Sequence, residues 1–212
     1  VARIDSPQLN RFHSLFFNDI VFDTPQLMQF ISRTQTSGAL EKAKISLRNG
    51  DASVYVLSQT SGDWNAVVEI LCRGLEWQVS SLEQVCTSFL PPLSMLEDLD
   101  IYEGLYLQPD WKDDIENGLW LQLLHPFTAV KNLYLSEQIA LCIGPALKEL
   151  SEGRTTEVLP ALQNMFLDGL EPSGPVQEGI GKFVSARLVA SRPIEVLSWA
   201  NSDRDKDYFY GI

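Results

Sequence analysis

Side chains able to perform chemistry are few in this chain. There are two histidines, His13 and His125, and three cysteines, Cys72, Cys86 and Cys142. Nucleophilic catalysis needs a base within hydrogen-bond reach of a hydroxyl or thiol. His125 with Cys142 is the pairing to weigh, and no motif spacing supports it. His13 reads as an outward strand residue, and His125, just before Pro126, as a helix-terminal one. The cysteines are an odd, sparse set. They form neither a disulfide framework nor a zinc signature, so each reads as a small buried hydrophobe in a reducing compartment.

Carboxylates cluster at Glu97, Asp98, Asp100 and Glu103, and again at Asp110, Asp113, Asp114 and Glu116. Paired acids can hydrolyse glycosides or hold a divalent cation. Neither cluster has calcium-loop spacing with its glycine. A solvated strand edge and an acidic helix start account for both. Gly174 to Gly181 is glycine-rich but lacks the Lys-Ser/Thr ending of a phosphate loop, and Pro175 removes an N–H that a phosphate would need. The sequence therefore predicts no catalytic residue, no cofactor and no metal. The alternative is a small-molecule or glycan-processing enzyme built on Glu97–Glu116.

The charge balance sets Lys plus Arg at 16 against Asp plus Glu at 28, a net charge of −12. Phosphate backbones and anionic lipid repel such a chain, so neither nucleic acid nor membrane is an expected partner. No apolar run approaches the roughly 20 residues of a membrane span. The sequence opens Val1-Ala2-Arg3, without Met or a signal-like stretch. It reads as a piece of a longer intracellular protein, cytoplasmic or nuclear, whose preceding part carries some of the function.

The elements that must position any site emerge from a repeat search. The form L-x-x-L-x-L appears as Leu96/Leu99/Ile101, Val130/Leu133/Leu135 and Leu162/Met165/Leu167. Extending the frame adds Ile194/Leu197/Trp199 after them. Before them it adds Val67/Ile70/Cys72, Leu40/Ala43/Ile45 and Leu9/Phe12/Ser14. Successive starts lie 31, 27, 29, 34, 32 and 32 residues apart, and of the 21 positions only Ser14 is not apolar, against a background of 45% hydrophobic residues. Each triplet reads as a short strand with one face buried. Helix-like stretches lie between. One opens at Asp110 to Asp114, with Trp111, Ile115, Leu119 and Leu123 on a face. A second runs from Glu137 to Leu150, with Ile139, Ile143, Leu147 and Leu150 aligned and Pro145 as a break or kink. A third starts at Pro175, with Val176, Ile180, Phe183, Val184 and Leu188 as its stripe. Pro25 to Ile31 and Ser80 to Phe89 are earlier candidates. A shorter echo pairs Ile4 to Leu9 with Phe22 to Leu27, sharing D-[S/T]-P-Q-L.

Strand, helix, strand, helix at a period near 31 predicts an α/β fold: an irregular leucine-rich-repeat-like solenoid, with a parallel sheet on the concave side and helices on the convex side. Residues 1–200 form one domain, and 201–212 a charged C-terminal tail or cap. The arrangement resembles F-box-associated leucine-rich-repeat proteins. Its C-terminal half is similar to F-box-like proteins of mushroom-forming fungi, through Leu123 to Leu135, Val158 to Asn164 and Glu171 to Gln177. That resemblance implies the target-binding region of a ubiquitin-ligase subunit. It also implies a ligase adaptor docked by an F-box, and no L-P-x-E-[I/V] segment of that kind occurs here.

In this frame the residues between the buried ones face a partner. Four past the starts lie His13, Lys44, Leu71, Asp100, Tyr134, Phe166 and Ser198. Six past lie Leu15, Ser46, Arg73, Tyr102, Ser136, Asp168 and Ala200. Tyr102, Tyr134 and Phe166 form the expected aromatic anchors, flanked by Asp100 and Asp168, with Lys44 and Arg73 as a basic early end. The predicted function is protein–protein recognition without catalysis.

Overall fold

The computed structural model describes residues 12–17, 40–58, 64–72, 74–88, 91–104, 115–168 and 175–199. The chain runs β1 (Phe12–Phe17), β2 (Leu40–Arg48), β3 (Asp51–Ser58), β4 (Trp64–Leu71), α1 (Leu75–Ser88), a 3₁₀ turn (Pro91–Met95), β5 (Asp98–Glu103), α2 (Asn117–Leu124), β6 (Asn132–Leu135), α3 (Glu137–Glu149), β7 (Asn164–Asp168), α4 (Pro175–Val189) and β8 (Glu195–Trp199). The eight described strands make one sheet in the order β1-β4-β3-β2-β5-β6-β7-β8. Every pairing is parallel except those of β3 with β2 and β4. The protein is thus α/β with a mostly parallel sheet.

From β5 onward, strands lie side by side in chain order with a helix in each connection. The predicted frame matches the register there: Ala43 and Ile45 pair with Leu99 and Ile101, these with Leu133 and Leu135, and these with Met165 and Leu167. All eight are buried. Alternation explains this, because residues two apart on a strand share a face. The strand starts are bracketed identically: the N–H of Asn132 donates to Glu97 O, that of Asn164 to Lys131 O, and that of Glu195 to Gln163 O, at 2.8–3.0 Å.

The N-terminal half departs from the frame. β4, carrying the Val67 triplet, does not neighbour β2, because an unpredicted strand, β3, lies between them. Asn49-Gly50 causes this. Arg48 pairs with Asp51 across the two residues, and Gly50 adopts φ +104, which lets the chain double back at once. Asn-Gly between apolar-alternating runs is a strong hairpin signal. β1 is also offset, Phe12 pairing with Ala66 rather than Ile70. At the other end β8 slips by one residue: Met165 pairs with Val196, not Leu197. Val196 and Leu197 are both apolar, so alternation does not choose between them. The bracket on Glu195 does.

One core joins the inward strand residues to the helices, among them Val79, Leu82, Trp120, Leu123, Ile139, Ile143, Leu147 and Phe183. α3 buries the predicted Ile139, Ile143 and Leu147, with Leu150 just past its end, and continues through Pro145. α1 begins at Leu75, earlier than predicted, and α2 at Asn117, later. α4 starts at Pro175 as predicted, but Leu188 is 64% exposed and Arg187 takes the buried place in the stripe. Its guanidinium donates to the carbonyls of Thr155 (3.0 Å), Leu162 (3.0 Å) and Pro160 (3.4 Å). α3 and α4 meet at Gly144 and Gly179, where an added Cβ on Gly179 would lie 2.6 Å from Gly144 O. Pro25 to Ile31, the D-[S/T]-P-Q-L echo, Asp110 to Asp114, Arg73 and the 201–212 tail lie outside the described residues. Among those described, no helix is long and apolar enough to cross a membrane.

Candidate binding face

Strand alternation sends one set of side chains to the helices and the other to the opposite face. The register aligns one residue from each described strand in a continuous row, His13, Val67, Tyr55, Lys44, Asp100, Tyr134, Phe166 and Leu197, of which the last six lie on that opposite face. Five were predicted together, namely His13, Lys44, Asp100, Tyr134 and Phe166. Val67 stands where Leu71 was expected, and Leu197 where Ser198 was, because of the two register offsets. One step along the strands, Glu69, Ser53, Ser46 and Tyr102 form a second row, and Asp168 pairs with Trp199 at its far end.

Burial divides this face. Lys44 (6% exposed), Asp100 (1%) and Tyr102 (4%) are enclosed. Tyr102 is therefore a packed ring and not the open anchor predicted, with the Lys44 ammonium 6.0 Å from its centroid. Ser46 and Ser53 opposite each other are fully buried too. Tyr134, Phe166, Asp168 and Leu197 are half-buried and reach solvent. The Tyr134 and Phe166 rings stack with centroids 4.4 Å apart and planes 8° from parallel. Lys42 Nζ lies 5.4 Å from the centroid of the Tyr134 ring, a cation–π contact. Burial, and then the negative charges of Asp98 and Asp100, push the Tyr134 phenol above its ordinary pKa.

Below this row runs a polar ladder that sequence reasoning missed. Asn164 Nδ2 donates to Asn132 Oδ1 (2.8 Å), and Asn132 Nδ2 to Asp98 Oδ1 (2.7 Å). Its signal was present: Lys42, Asp98, Asn132 and Asn164 each stand two past a repeat start. The other acids of the first cluster are similarly engaged. Glu97 accepts from Lys131 Nζ (2.5 Å) and Glu103 from the Ser136 hydroxyl. Glu116 is exposed at the start of α2. Among the described residues no group of three His, Cys, Asp or Glu side chains could hold a metal ion.

The helix side carries a groove of about 510 Å³ lined by Glu83, Thr87, Gln122, His125, Arg154 and Glu157. Its charged wall is a fork in which Arg154 donates to both oxygens of Glu157, at 2.6 and 2.7 Å. That bond holds the Glu157 carboxyl below its ordinary range. Burial raises the Cys142 thiol to about 11, so little thiolate exists near neutrality. Comparison with known proteins yields no match: no family model, no curated protein and no solved structure matches this chain.

Proposed function

We propose that the chain is a protein–protein recognition module. In this reading it is the target-binding region of an F-box-like ubiquitin-ligase subunit, intracellular and without catalysis of its own. Its C-terminal half is then an irregular leucine-rich-repeat-like solenoid. In support, β5 to β8 follow one another in sheet order with recurrent start brackets, and β5 to β7 share one register. The observation that carries the reading is the half-exposed row Tyr134, Phe166 and Leu197 on the face turned away from the helices. Side-chain ladders hold the strands beneath it in place. Preordered aromatics of this kind bind proteins at low entropic cost. The target sits on this face, and the ligase adaptor contacts an F-box outside these residues.

The test places a benzophenone-bearing amino acid at position 166 in cells, and at position 188 on the exposed side of α4 as control. The reading expects a discrete protein adduct at 166 that disappears with Tyr134→Lys, and none at 188. It also expects ubiquitin on the adduct when the proteasome is blocked. No adduct at 166, or the same adduct at both positions, overturns recognition by this face. An adduct that never carries ubiquitin overturns the ligase assignment alone.

A further inference from the structure

We infer that the partner of this face is a basic amphipathic helix lying across the strands. The inference rests on the recognition reading and adds the chemistry and shape of the ligand. Tyr134, Phe166 and Leu197 occupy three consecutive strands at one level. Strands are about 4.8 Å apart, so the apolar row spans roughly 10 Å at right angles to the strands. An apolar helix stripe at i, i+3 or i+4, and i+7 advances about 5 Å per contact and 10.5 Å in all. An extended peptide repeats same-side residues every 6.6 Å or so and falls out of step with this row by its second contact.

Charge supplies the second constraint. One level below the row stand Asp98 and Glu195, and one level above stands Asp168, about 6.6 Å away along the strands. Asn132 and Asn164 complete the lower level. The outward register positions of β6 to β8 contain no lysine or arginine. The apolar strip is therefore bordered by carboxylates on both long sides. Lys42 closes it at the β2 end. The ligand that fits is a helix with an apolar stripe and lysine or arginine on both flanks. A nucleic acid carries the wrong sign.

Three fluorescent peptides of about four turns test this on the full chain by anisotropy at low salt. One has leucine at i, i+4 and i+7 with flanking lysines. One has the same composition in scrambled order, and one replaces lysine by glutamate. The striped lysine peptide binds best, and its affinity falls steeply with added salt, which screens charges beyond about 10 Å at 0.1 M. Asp168→Lys with Glu195→Lys weakens it roughly tenfold and strengthens the glutamate peptide, with an unchanged melting curve as the folding control. Equal binding of striped and scrambled peptides, or no change on charge reversal, overturns the inference. If either result accompanies a persistent adduct at position 166, the partner chemistry is wrong and the recognition reading stands. Loss of that adduct removes both.

Discussion

Individual side chains divide into those that hold the sheet and those that it displays. Asn132, Asn164 and Asp98 hydrogen-bond to one another, and the two terminal nitrogens of Arg187 donate to three carbonyls of the 155–162 loop. Arg187 has no carboxylate partner among the described residues, and burial lowers its pKa. Tyr134 belongs to the displayed group, yet it titrates as a partly buried phenol beside two carboxylates. Its pKa in the folded protein exceeds the ordinary 10.0 that the unfolded chain restores. Folded protein therefore retains the proton while unfolded protein loses it. The stability this contributes is complete below pH 10 and declines as pH rises towards the folded value. An ultraviolet titration of wild type minus Tyr134→Phe should show a single phenol with its midpoint above 10. A midpoint at or below 10 would mean that the Tyr134 phenol is not partly buried beside Asp98 and Asp100.

At the scale of elements, the helix layer depends on close approach between α3 and α4. Two glycines on α4, two residues apart, should respond oppositely to the same change. A methyl group at Gly179 would meet the Gly144 carbonyl at 2.6 Å, whereas at Gly181 it meets nothing within 4 Å. Gly179→Ala should destabilise by about 1–3 kcal/mol, because backbone cannot step aside as a side chain can. Gly181→Ala should stabilise by about 0.5–1 kcal/mol, the ordinary helix-propensity gain. Denaturant midpoints of both variants check this, and equal effects would mean that α3 and α4 do not cross at Gly144.

Across the whole molecule, one apolar cluster links strands β2 to β7 with all four described helices, so it should open as a unit. The cysteines report on that opening. Cys72 and Cys86 belong to the cluster and Cys142 packs against it. Burial raises Cys72 and Cys142 to about 11 and Cys86 further still. At pH 8 all three should react slowly with a disulfide reagent in the native state. They should become reactive together at the denaturant concentration where the far-ultraviolet signal is lost. A thiol that reacts well before that midpoint would show that its segment opens independently.

Much of β5 to β8 was legible in the residue order because a strand needs only period-two burial and a helix only period-3.6 burial. Leu99, Leu133 and Met165 declare the first, and Ile139, Ile143 and Leu147 the second. The row Lys44, Asp100, Tyr134 and Phe166 follows from the same arithmetic. Strand order in the N-terminal half was not legible from alternation, since β4 shows the same pattern whether it pairs with β2 or with β3. Hydrogen bonds between residues far apart in the chain make that choice, as they choose Val196 over Leu197 opposite Met165. Exposure was hidden for a related reason. Tyr102 and Tyr134 hold equivalent outward parities, yet one ring is enclosed and the other reaches solvent. Burial depends on which neighbours crowd a ring in space, and those neighbours come from strands remote in sequence.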